Sequence, residues 1–190
     1  KKTFKPHFVL QNADDVRLTP SKLDDFTKSI ENRPPAETKN KVKLPLIFSG
    51  KSFVVFNKPS GITTPELIGD YLPVHRLDKD TSGVLVAAKT PQAQSALQKQ
   101  WQKRLVKKVY VSLVAGKLEP RKGAIEAKIF RSGRDRKKMA VSSRKSARSA
   151  YTEYEVQAYY YGFTLLKLFP STGRTHQIRV HLSSIGFPVV

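Results

Sequence analysis

Between residues 52 and 169 the chain returns repeatedly to one pattern, a short run of strand character bounded by turn residues. Residues 52–56 and 84–88 are short apolar runs, and residues 108–114 alternate like a half-buried strand. Residues 151–156 and 163–169 read as two more strands, joined through Tyr159-Tyr160-Tyr161-Gly162. A period of two sends successive side chains to opposite faces of a sheet. Helical periodicity enters in few places. Thr90-Pro91 supplies a cap and a first-turn proline ahead of Ala93, Ala96, Leu97 and Trp101, which fall on one face. Ile178, Leu182 and Ile185 share a second helical face, ended by Gly186 and Pro188. Strand patterns separated by a few helices predict the α+β class.

The chain has 190 residues, enough for one sizeable domain with an extension. Lys and Arg total 35 against 15 Asp and Glu, a formal charge of +20. Such an excess favours a polyanionic partner, most simply nucleic acid. A solubilising surface or a basic tail is the plainer alternative, but the basic residues recur along the whole chain. There are no cysteines, which excludes a disulfide scaffold, Cys-containing zinc sites and the zinc nucleobase deaminases. No apolar run approaches membrane-spanning length. Residues 1–45 are polar and basic, interrupted by Pro20 and Pro34-Pro35. They predict an arm with a short helix carrying Leu23, Phe26 and Ile30, then a linker over 32–43. The domain proper is expected over 46–190. The chain starts at Lys1, so a processed start and a lost targeting peptide stay open.

One loop concentrates the chemistry. His75-Arg76-Leu77-Asp78-Lys79-Asp80-Thr81-Ser82-Gly83 runs straight into the apolar segment 84–88, as an exposed loop enters a buried strand. Asp78 lies between Arg76 and Lys79, which favour its ionised form, and an ionised carboxylate can act as a nucleophile. Loop aspartates more commonly cap helices or tighten turns. Asn57-Lys58-Pro59-Ser60-Gly61 reads as a turn after the first strand. Tyr110 is an ordinary core aromatic, or a phenol able to stack on a base and exchange a proton. Arg131, Arg134, Arg136, Lys137, Lys138, Arg144, Lys145 and Arg148 flank Met139-Ala140-Val141 and predict a basic hairpin. Such a hairpin suits an RNA backbone, and equally a solvated sheet edge blunted by charge. His176 and His181 are five apart, so they do not share a helix face as a metal pair does. They read as packing or RNA-facing residues.

These stretches together resemble the RluA-type RNA pseudouridine synthases. His75-Arg76-Leu77-Asp78 followed by Thr81-Ser82-Gly83 is similar to that family's signature, and Lys58-Pro59-Ser60-Gly61 to its Lys-Pro-x-Gly turn. Lys108-Val109-Tyr110 matches its Lys-x-Tyr. Lys138-Met139-Ala140-Val141 is similar to its basic Lys-Met-x-Val segment, with a looser match over residues 145–150. Thr172-Gly173-Arg174-Thr175-His176-Gln177-Ile178-Arg179-Val180-His181-Leu182 resembles its third motif. The resemblance covers residues 46–190. It implies a mixed, mostly antiparallel sheet with packed helices around a cleft, and isomerisation of a uridine in RNA to pseudouridine. Catalytic roles are then expected for Asp78, for Tyr110 beside it and for Arg179 paired with it. RNA contacts are expected at Arg76, Lys58, Arg136, Lys137, Lys138, Arg174 and His176. No metal or cofactor is implied. The expected partner is RNA, with large-subunit ribosomal RNA favoured over tRNA, and with it a ribosomal subunit or assembly intermediate. The expected location is mitochondrial, with cytoplasmic as the alternative. A non-catalytic RNA-binding assembly factor that keeps the fold is the main rival. The link from Gly61 to His75 is shorter than usual for the family, and a further strand is expected after Val190.

Overall fold

A computed structural model describes residues 46–133, 135 and 138–190. The predicted arm over 1–45, and Arg134, Arg136 and Lys137 of the basic hairpin, lie outside the described residues.

The strands form two sheets in which every pairing is antiparallel. The first contains β1 (Leu46–Ser49), β2 (Phe53–Lys58), β3 (Leu72–Pro73) and β4 (Gly83–Ala88), in the order β1-β2-β4-β3. The second contains β5 (Tyr110–Ala115), β6 (Lys122–Arg131), β7 (Met139–Val141), β8 (Arg148–Tyr160) and β9 (Phe163–Pro170), in the order β5-β9-β8-β6-β7. Strand β9 shows the period-two logic most cleanly: Thr164, Leu166, Leu168 and Pro170 point inward and are buried. Its hairpin with β8 closes through Tyr161 and Gly162, and Gly162 takes the positive φ of 74° that this turn needs.

Among the described residues, three helices pack around the sheets. Helix α1 (Thr64–Ile68) sits in the short link between Gly61 and His75. Thr63 caps it and Glu66 reaches back to the Thr63 backbone, a capping box readable as Thr-x-x-Glu in the sequence. Helix α2 (Pro91–Gln102) begins at the Thr90 cap as predicted. Its inward face is Ala93, Gln94, Leu97, Gln98 and Trp101, whereas Ala96 is exposed. The two glutamines explain the shift: both donate to the carbonyl of Pro73, at 2.9 and 3.1 Å. Helix α3 (Gln177–Ser184) ends ahead of Gly186, where φ is 87°.

Each sheet has its own core. Val54, Phe56, Leu67, Ile68, Leu77, Leu85 and Ala87 form one. Val114, Leu118, Ile125, Tyr154, Val156, Leu166, Leu168 and Leu182 form the other. Each fully buried aliphatic side chain stabilises the fold by roughly 1.5–3 kcal/mol. Tyr110, at the start of β5, packs against both cores and marks the seam between the sheets.

Candidate active site

The seam is where the sequence motifs meet. The loop from β3 to β4 carries Asp78, and its backbone is held at successive residues. The Thr64 hydroxyl donates to the carbonyl of Leu77 (3.2 Å) and accepts from the Leu77 N–H (3.1 Å). The Thr81 N–H donates to the carbonyl of Asp78 itself at 3.0 Å. The carbonyl of Lys79 receives the Gly61 N–H (3.0 Å) and the Lys58 ammonium (2.9 Å). Ser60 Oγ donates to the carbonyl of Asp80 at 3.0 Å. A side chain placed by so many backbone anchors is preorganised for chemistry.

Lys58, expected at the RNA, is turned inward. It is fully buried on the core face of β2, and its Nζ donates to the carbonyls of Pro59 (2.9 Å), Ile62 (2.7 Å) and Lys79 (2.9 Å). An ammonium has three protons, so all its donors are engaged. Burial pushes its pKa below the ordinary lysine value, opposed by the carboxylates of Asp80, Asp78 and Glu66.

His75 is also structural. Its ring stacks on Trp101 with centroids 4.7 Å apart. Its Nε2 accepts the Val86 N–H at 3.0 Å, satisfying β4 beyond the reach of the two-residue β3. An accepting Nε2 puts the proton of the neutral ring on Nδ1. Burial, then the nearby Lys108 charge, pushes the His75 pKa down to about 4.

The catalytic candidates converge only in part. Asp78 keeps 23% of its side chain exposed, and its Oδ2 lies 3.8 Å from His176 Nε2. Tyr110 is half-buried, and its pKa is raised by burial first and by the Asp78 charge second. Arg179, expected to pair with Asp78, is exposed, and among the described residues it forms no ion pair within 4 Å. The cause is the rotation of α3. Gln177 and His181 are buried one turn apart, so residue 179 falls on the opposite side of the helix.

That rotation is fixed by a polar network that the apolar pattern did not show. Gln177 Nε2 donates to the carbonyl of Tyr151 and to Thr152 Oγ1, both at 3.0 Å. Gln177 Oε1 accepts from Thr172 Oγ1 (2.8 Å) and from the Arg174 N–H (3.0 Å). His181 contacts Thr152 Oγ1 through Nδ1 (3.0 Å) and the carbonyl of Ala127 through Nε2 (3.3 Å). A carbonyl only accepts, so Nε2 carries the proton and Nδ1 accepts from the Thr152 hydroxyl. Ile185, predicted on the packed face, is instead exposed. His176 precedes the helix in the left-handed region, with φ of 54°, and there its ring meets Asp78. A non-glycine residue held in that region at a site is a strained conformation that surrounding structure must enforce. Lys108 reinforces the arrangement: its Nζ donates to the carbonyl of Thr172 at 2.7 Å.

Arg76 is exposed beside Asp78. Arg174 is half-buried, and its Nε donates to the carbonyl of Ser149 at 3.1 Å. Lys138, on the hairpin, is exposed and pairs with Asp135 at 3.4 Å. Arg136 and Lys137 lie outside the described residues. No group of three or more His, Asp or Glu among the described residues is placed to hold a metal ion.

Residues 69–184 match the sequence profile of the family described as RNA pseudouridylate synthase. The chain belongs to the RluA-type RNA pseudouridine synthase family. It is 36% identical to an uncharacterised RNA pseudouridine synthase of Aquifex aeolicus, over all of this chain and 69% of that protein. It is 39% identical to ribosomal large subunit pseudouridine synthase D of Nitrosomonas europaea, covering 78% of this chain and 48% of that one. With ribosomal large subunit pseudouridine synthase C of Pasteurella multocida it shares 31% identity, over all of this chain and 63% of the relative. The chain thus spans between about half and about two thirds of these relatives' lengths. Among solved structures it resembles human RNA pseudouridylate synthase domain containing 1, with a TM-score of 0.72 at 26% identity. That match covers 83% of this chain and 70% of the human one. The antiparallel sheets with few helices are the architecture of these synthase neighbours. No helix among the described residues is long and apolar enough to cross a membrane.

Proposed function

We propose that this protein isomerises a specific uridine in folded RNA to pseudouridine, with large-subunit ribosomal RNA as the favoured substrate. The observation that carries the reading is Asp78, its loop held through the backbone and its carboxylate part-exposed and bordered by the Tyr110 phenol and His176. In the reaction the N1–C1′ glycosidic bond breaks, the uracil turns, and a C5–C1′ bond forms. The proton leaves C5 and N1 becomes protonated, so the isomerisation is redox-neutral. The target nucleotide has to leave its stack to reach Asp78. Asp78 acts either as a nucleophile or as a base at the sugar. Tyr110 borders the uracil, where it stacks on the base or assists proton transfer at C5. Arg179, on the outward side of α3, and Arg76 face the RNA around the flipped base. The relatives named as large-subunit synthases support the ribosomal substrate, and the charge of +20 supports a large folded RNA as partner. A ribosomal subunit or its assembly intermediate is the form in which that RNA is met. A mitochondrial location is part of the same proposal, on the basic composition alone, and a fluorescent fusion of the full protein tests it.

The test is pseudouridine mapping of cellular RNA with the gene intact, deleted, and restored as wild type or Asp78→Ala. One uridine should lose its modification on deletion, and only the wild-type copy should restore it. An unchanged map, with a ribosome-assembly defect that Asp78→Ala rescues, would instead establish the non-catalytic assembly factor.

A further inference from the structure

A concavity opens against the turn that leads into His176. It has a volume of about 430 Å³ and is lined by the end of β6 (Ile129, Phe130, Arg131), Met139, Ser146 and Arg148, and the Gly173–Arg174–Thr175 turn that leads into His176. Three arginines, Arg131, Arg148 and Arg174, therefore line one cavity, Arg174 with its Nε donating to the Ser149 carbonyl. None has a carboxylate within 4 Å among the described residues. A fourth, Arg144, lies over the Phe130 ring at 5.4 Å. Unneutralised arginines held this close repel one another, and an anion bound between them relieves that repulsion. The apolar part of the lining, Ile129, Phe130 and Met139, is of the kind that takes a sugar or base rather than a bare ion. The other concavity of comparable size, about 400 Å³, makes a useful contrast: Lys122 shares it with Glu153 and Glu155 and is paired with Glu155 at 2.8 Å.

We infer that this arginine-lined cavity is a nucleotide subsite, seating one phosphate of the substrate RNA, with its ribose and base, next to the flipped uridine. The inference rests on the proposed RNA substrate and deepens it. Its position gives the reason: residues 173–175 form one wall, and the next residue, His176, is the one that meets Asp78. A strand of RNA entering the active site along this turn places a neighbouring phosphodiester among the arginines. Binding there also presses on the segment that sets the His176 backbone, so occupancy of the subsite and geometry at Asp78 are linked.

The probe is the trinucleotide UpUpU, titrated into the full-length protein and followed by NMR, with uridine and inorganic phosphate as comparison ligands. UpUpU should shift the backbone amides of Gly173 and Thr175 and the side-chain Nε–H signals of Arg131 and Arg148. Phosphate should shift the same arginines more weakly, and uridine should leave them unmoved. The double variant Arg131→Gln/Arg148→Gln should weaken UpUpU binding roughly tenfold or more, as expected when charge-assisted hydrogen bonds are removed. It should also flatten the dependence of log affinity on log salt by about 0.7 for each phosphate that is no longer neutralised. Lys122→Gln removes one positive charge from the other cavity, where the double variant removes two, and should change neither quantity. Arg148→Lys, which keeps the charge and the fold, should retain the salt slope. Equal effects of Arg131→Gln/Arg148→Gln and Lys122→Gln, or shifts spread over the basic surface with none at Gly173 and Thr175, overturn the subsite. The readout is binding, so loss of the synthase reading in the mapping experiment leaves this result standing, and the reverse holds too.

Discussion

Replacing Lys58 with methionine keeps much of the side chain's length and removes its charge, taking the ammonium donor from the carbonyls of Pro59 and Ile62 and leaving that of Lys79 with the Gly61 N–H alone. Unsatisfied buried groups cost on the order of 1–3 kcal/mol each, and local relaxation recovers part of that. The expected loss is about 2–4 kcal/mol, read as a lowered urea midpoint with an unchanged m-value. The same change frees the Asp78 loop, so activity should fall further than the folded fraction does. Tyr110→Phe asks a different question, because it keeps the ring that packs against both cores. Its stability should move by less than about 1 kcal/mol, while kcat on the mapped RNA should fall by roughly 10²–10⁴, the range for a lost proton-transfer group. An unchanged kcat would reduce Tyr110 to a packing residue. The proximity of Asp78 and Tyr110 follows from their motifs. The partner of Asp78 does not, since Arg179 and His176 stand three residues apart and either can be turned toward the carboxylate.

Among the elements, β6 and β8 make the clearest prediction. Gly123 pairs across from Tyr154, whose buried ring lies over it. A Cβ added at Gly123 would come within 2.6 Å of the Tyr154 hydroxyl oxygen and 2.7 Å of the ring carbon that bears it. The ring is held in the core and cannot simply swing away. Gly123→Ala should therefore destabilise the protein by about 1–3 kcal/mol through overpacking, despite alanine's better backbone propensity. Chemical unfolding measures it, and a neutral or stabilised variant would show that the ring has room. The strands other than β1 and the two-residue β3, and the two longer helices, were legible because alternation, caps and terminal glycines are local signals. Helix α1 carried an equally local signal in Thr63 and Glu66, hidden by its five-residue length. The packed faces were less legible. On α2 and α3, glutamine and histidine take inward positions through hydrogen bonds, which apolar periodicity does not register.

For the molecule as a whole, the half-buried His75 and the buried His181 should lower stability in acid. The folded-state pKa of His75 is pushed down to about 4, below the unfolded value near 6.5. The unfolded chain therefore takes up the proton first. Stability from this source is complete above about pH 6.5 and is lost as the pH falls toward 4, at up to about 1.4 kcal/mol per pH unit. His181 is lowered too, by burial, with the Ala127 carbonyl opposing, and acts with the same sign. Thermal unfolding between pH 7 and pH 4 should show a shallower decline for His75→Phe than for wild type, since phenylalanine keeps a ring against Trp101 but has no proton to bind. Parallel declines would mean that other groups govern the acid transition. The two-sheet arrangement also explains why the site is sensitive: His75 and Asp78 share one loop, and the seam beside it is filled by Tyr110.

By itself the sequence determined the strands other than β1 and β3, the family resemblance and the identity of the loop that carries Asp78. Each of these is written in neighbouring residues or in a contiguous motif, and local chemistry is enough to read it. Tertiary structure alone decided that Lys58 turns inward to three carbonyls, that His176 rather than Arg179 meets Asp78, and that three arginines from separate segments share one cavity. Those outcomes depend on how far α3 rotates against β6 and β8, and on which cations find carbonyls before they find solvent. Rotation and burial are properties of the packed chain, fixed by hydrogen bonds between residues as far apart as Ala127 and His181.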